Sequence, residues 1–68
     1  MMTKDELKMV AEVMANNFVR ERASRQMSNA DRVIFENYFT PSKLQDSDNW
    51  TDEDLDLFIS CMKDVGKP

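Results

Sequence analysis

An all-helical single domain spanning residues 1–68 is the fold class this sequence predicts, and three observations predict it. The chain holds one glycine and two prolines, too few for the turns of a sheet protein. Its apolar residues recur at helical spacing in three stretches. Each stretch also opens on a side chain able to cap a helix: Thr3, then Ser28 or Asn29, then Thr51.

The first helix is expected over residues 4–26. Thr3 followed by Glu6 makes a capping box, and Asp5 adds negative charge in the first turn, where the helix dipole favours it. Leu7, Val10, Ala11, Met14 and Phe18 form one stripe, read as the first core face, with Met9, Val13 and Val19 beside it. Ala23 and Met27 continue a drifted seam.

The second helix is expected over residues 30–39. Ser28 or Asn29 caps it, and Asp31 follows Ser28 by three positions. Val33, Ile34 and Tyr38 fall on one side, Phe35 and Phe39 on the other. A surface helix needs only one apolar side, so this segment is either central to the fold or half of it is an interface. Thr40-Pro41 ends it, because a residue before proline avoids helical geometry, and Pro41 can open a single turn through Leu44.

The third helix is expected over residues 52–64. Thr51 caps it, Asp52, Glu53 and Asp54 suit its first turn, and Trp50 is placed to staple against Leu55. Leu55, Phe58, Ile59 and Met62 form its buried stripe, with Leu57 and Cys61 beside it and Gly66 available for a left-handed close. A small three-helix domain follows, its first two helices able to pair as an antiparallel hairpin.

Composition removes several functions. One cysteine forbids an internal disulfide, and the absence of histidine excludes a zinc site of mixed Cys and His ligands. No apolar run is long enough to span a membrane, the charged N-terminus lacks a signal-peptide core, and a lone thiol suits a reducing compartment, so a cytoplasmic protein is expected. A domain this small has a thin core and a narrow choice of clefts, and without histidine the catalytic routes reduce to paired carboxylates or Cys61. Cys61 lies beside an apolar stripe, which favours a structural thiol. The expectation is a non-enzyme without cofactor.

Charge is unevenly placed: residues 1–44 carry a net +1 and residues 45–68 a net −5. The acidic segment from Asp46 departs from a calcium loop at its most demanding positions, with Thr51 where glycine makes the tight turn and Leu57 where a bidentate glutamate belongs. Trp50-Thr51 before acids and then Leu55 and Phe58 has the opening of a Myb-type DNA-binding helix. The required further helices have no room after it, and its charge opposes phosphate. Mimicry of phosphate by these carboxylates is a sharper reading than a capped, solvated helix start, but the run of acids is modest. Arg20, Arg22, Arg25 and Arg32 form the basic cluster; Arg20, Arg22 and Arg25 are the candidate phosphate contacts, diluted by Glu21, Asp31 and Glu36.

The residues a minimal core leaves over are Phe35, Tyr38, Phe39 and Trp50, with several of the six methionines. Exposed together, aromatic and methionine side chains make adaptable protein-binding surfaces, and these four are the candidate partner-binding residues. Burial of the second helix on both sides is the competing expectation.

In its size, its acidity, its Met1-Met2 start and its layout of capped helices, the chain resembles the small helical accessory proteins of temperate bacteriophage early regions. That resemblance implies an adaptor or inhibitor acting on a host protein by direct contact. A self-associating homodimer and a weak nucleic-acid-associated regulator remain as alternatives.

Overall fold

Thr3, Asn16, Ser28, Thr40 and Thr51 each turn a side-chain oxygen onto a backbone amide at the start of a helix, and these caps divide the chain. In the computed structural model, which describes residues 2–66, the helices are α1 (Lys4–Met14), α2 (Asn17–Arg25), α3 (Asn29–Tyr38), α4 (Pro41–Gln45) and α5 (Asp52–Met62), with a 3-10 turn at Ser47–Asn49. No strand occurs among the described residues. The Met1 of the double-methionine start lies outside them, as do Lys67 and Pro68.

The single helix expected over 4–26 is two helices. Asn16 adopts extended backbone (φ −67°, ψ 124°), and its side-chain oxygen accepts from the Phe18 and Val19 amides at 3.0 and 3.3 Å. That cap satisfies the first amides of a new helix and resets its direction, so the apolar stripe of α1 ends at Met14. Phe18, expected in the first core face, is 69% exposed. The second expected helix is found one residue earlier as α3. The single turn after Pro41 is present as α4, and the third expected helix is present as α5, ending at Met62 rather than 64. Gly66 takes the left-handed conformation (φ +83°), and its amide donates to the Gln26 side chain at 2.8 Å.

Phe39 is the centre of the core. Its ring lies 6.0 Å from Phe35, 5.1 Å from Tyr38, 5.1 Å from Trp50 and 5.4 Å from Phe58. Phe35, Phe39, Phe58 and Leu44 are fully buried, each such side chain being worth about 1.5 to 3 kcal/mol of transfer free energy. Trp50 joins them and satisfies its ring N–H on the Lys43 carbonyl at 2.8 Å.

Four long-range contacts show how the helices lie. Tyr38 meets Asp54 while the Cys61 thiol reaches the Asp31 carbonyl at 3.8 Å, so α3 and α5 are antiparallel. The Lys4 ammonium stands 2.8 Å from Asp52, bringing the starts of α1 and α5 together. The buried Ser47 hydroxyl donates to the Lys8 carbonyl at 3.0 Å and holds the 3-10 turn against α1. The hairpin expected of the first two helices is formed by α2 and α3, where Arg20 of α2 reaches the end of α3 and Arg32 of α3 reaches the end of α2. The chain exposes 4654 Å², close to the roughly 4,500 Å² expected of a folded monomer of this size.

Candidate protein-interaction surface

The predicted partner-binding residues are divided by burial. Phe35 and Phe39 are 0% exposed and Trp50 is buried, so a docking surface built on them does not exist in the folded chain. Tyr38 alone of the four reaches solvent, and it is engaged: its hydroxyl donates to the Asp54 carboxylate, which also takes the Lys43 ammonium at 3.2 Å and the Thr51 amide at 3.1 Å. The two apolar sides of α3 are therefore resolved as Phe35 and Phe39 inward, Val33, Ile34 and Tyr38 outward.

Polarity in this Tyr38, Lys43 and Asp54 group is set by mutual contact. The Tyr38 hydroxyl holds the Asp54 carboxyl below its usual range against the opposing effect of burial, helped by the Thr51 amide and Lys43. The same carboxylate raises Tyr38, chiefly through that hydrogen bond. Burial pulls Lys43 down, but the hydrogen bond and charge of Asp54 outweigh it and leave the ammonium above its ordinary value. The polar groups of this cluster are turned on one another, which ties α3, α4 and α5 together.

Of the candidate phosphate contacts, Arg20 is engaged within the fold. Arg20 donates from Nε to the Phe39 carbonyl at 2.9 Å and from Nη2 to the Glu36 carbonyl at 3.0 Å, and its guanidinium sits 5.6 Å from the centre of the Phe35 ring. Arg32 does the same for α2, reaching the Ser24 carbonyl at 3.0 Å and the Met27 carbonyl at 3.4 Å. Arg25 pairs with Glu21 at 2.6 Å. The three candidates are thus differently engaged: Arg20 caps a helix end, Arg25 pairs with Glu21, and Arg22 lines a surface depression. Cys61 is buried, and burial, reinforced by the nearby Asp31 charge, pushes its thiol up and away from the reactive thiolate. Among the described residues no group of three or more His, Cys, Asp or Glu side chains is placed to hold a metal ion, and no helix is long and apolar enough to cross a membrane.

The surface that remains is apolar and lies where the sequence did not point. Between α1 and α5 runs a groove of about 390 Å³. Leu7 and Val10 line it from α1, Phe58, Ile59 and Met62 from α5, and Met2, Lys63 and Val65 complete the lining. Ile59 is 47% and Met2 52% exposed, so the expected burial of the whole α5 stripe is correct for Leu55 and Phe58 and not for Ile59. Val65 also lines a second depression, of about 280 Å³, formed with Met14 of α1 and with Phe18, Val19 and Arg22 of α2. Val65 lines both compartments, so the two are neighbours on the surface, and together they make up a trough in two parts.

This trough follows from the local rules of the chain. The Asn16 cap turns α2 away and leaves Phe18 outside the core, while the ion pair of Lys4 with Asp52 sets α1 beside α5 without closing the space between them. Sequence periodicity marks Leu7, Val10, Ile59 and Met62 as apolar but cannot tell a wall from a core, because both lie on the same stripe. No protein family, curated protein or solved structure matches this chain.

Proposed function

We propose that this chain is a non-catalytic protein-interaction module that acts on a partner by direct contact, with the trough along α1, α5 and α2 as its docking surface. The observation that carries this reading is the exposure of Met2 and Ile59 on one apolar depression and of Phe18 on its neighbour, beside a buried core that does not include them. Grooves lined by aliphatic and methionine side chains repack around a partner at low entropic cost. An adaptor or inhibitor of this kind, working in the cytoplasm on a host protein, fits the phage accessory proteins that the chain resembles in size and layout.

The test is affinity capture from a nuclease-treated bacterial lysate with the parent chain and an Ile59→Asp variant, both checked for helical content. Ile59 is the informative position because it is exposed, whereas aspartate at Phe35 would unfold the core. A protein held by the parent and lost by the variant is the expected result. Identical capture by both would remove the trough from the reading, and a concentration-dependent dimer of the parent alone would assign the surface to self-association.

A further inference from the structure

We infer that the trough receives an amphipathic helix of a partner protein whose apolar stripe is flanked by aspartate or glutamate. This rests on the proposed docking role of the trough and adds the chemical class of its occupant. The chain carries 13 acidic and 9 basic residues, yet the charged residues lining the two compartments are Lys63 in the first and Arg22 in the second. Among the described residues no carboxylate lines either compartment. Placing cations beside an apolar depression on an otherwise acidic molecule selects for a partner of the opposite sign at those points. Lys63 also stands 3.5 Å from the Asp31 carboxylate, but its side chain is 57% exposed, so part of its hydrogen-bonding capacity faces solvent.

Shape points to a helix. A strand docks on a sheet edge, and no strand occurs among the described residues. Two neighbouring apolar compartments suit anchors repeating along one helical face, at i, i+3 or i+4, and i+7. The largest dimension of the molecule is 26 Å, so a docked helix no longer than the molecule itself has at most about 17 residues at 1.5 Å per residue. A second copy of the chain fits less well. An isologous contact lays this surface on itself, and a surface that offers Lys63 and Arg22 without a carboxylate has no acid of its own to return.

The experiment pans a displayed library of helices of about 16 residues against the full chain. The peptides carry an apolar stripe, and their flanking positions are varied among Glu, Gln and Lys. Parent, Ile59→Asp and Arg22→Glu/Lys63→Glu chains are compared, each shown to be folded by circular dichroism. Glutamate is expected to accumulate at the flanks with the parent, and lysine with the doubly charge-reversed chain. The selected acidic helix is expected to bind the parent about tenfold more weakly when salt is raised from about 20 to about 300 mM. Should Lys63→Glu unfold the chain by setting a second carboxylate beside Asp31, Arg22→Glu alone with the salt series serves the same purpose. Helices selected by the parent without charge preference would overturn the inference and leave the docking role standing. Selection by the parent no better than by Ile59→Asp would overturn both. A dimer of the parent that Ile59→Asp abolishes would give the trough to a second copy.

Discussion

Arg20 closes the C-terminal end of α3 by donating to the Phe39 carbonyl at 2.9 Å, and Arg32 returns the same service to α2 at the Ser24 carbonyl. Helix ends leave carbonyls without intrahelical partners, and a guanidinium satisfies them with charge-assisted bonds. Arg20→Ala is therefore expected to lower stability by about 1.5 to 3 kcal/mol. Arg25→Ala, which removes only an exposed pair with Glu21, is expected to cost less than about 1 kcal/mol. Urea denaturation of both variants checks the contrast.

The Phe35 side chain is expected to behave as core. Phe35→Ala should cost about 3 to 5 kcal/mol, comparable with the whole stability available to a domain of this size, so the variant is expected to be largely unfolded at room temperature. Val33→Ala, on the outward side of the same helix and 60% exposed, should leave the thermal transition within a few degrees of the parent, as surface changes do. Calorimetry or far-ultraviolet circular dichroism distinguishes them.

Asp54 gives the fold an acid limb. Its folded pKa lies below the ordinary 3.8, with the Tyr38 hydroxyl as the main cause. The unfolded chain therefore binds the proton more readily, and the stabilisation is present above about pH 4 and lost as pH falls through the folded value. Tyr38 is shifted upward for the reciprocal reason, so its contribution is complete below its ordinary 10.0 and lost as pH rises beyond it. Asp54→Asn is expected to flatten both limbs of melting temperature plotted against pH, and an unchanged acid limb would place the sensitive carboxylate elsewhere.

Asn16 is expected to govern the bend between α1 and α2. Asn16→Ala removes the acceptor for the Phe18 and Val19 amides and should cost about 0.5 to 2 kcal/mol. Amide exchange would show the loss as faster exchange at Phe18 and Val19 first.

These residues also show what was legible in the sequence. Thr3 with Glu6, Ser28 with Asp31 and Thr51 with Asp54 are local pairs three apart; the first and third starts are where the sequence places them, and the second is one residue earlier. Asn16 escaped notice because Phe18 prolongs the apolar spacing of α1 and hides the break. The inward side of α3 was not legible either, since both sides are apolar. The choice is made by distant partners, Arg20 under Phe35 and Trp50 and Phe58 around Phe39. The trough needs α1 to lie beside α5, a relationship carried by residues as far apart as Lys4 and Asp52. No local pattern encodes it.

Apolar side chains face solvent outside the trough at Val33 and Ile34 of α3 and at Met9 and Val13 of α1, and methyl nuclear magnetic resonance separates these from the trough most directly. In a titration of the labelled chain with the selected acidic helix, shifts are expected at Leu7, Val10, Ile59, Met62 and Val65, with Val33 and Ile34 unmoved. Shifts confined to Val33 and Ile34 would contradict the assignment of the trough as the docking surface.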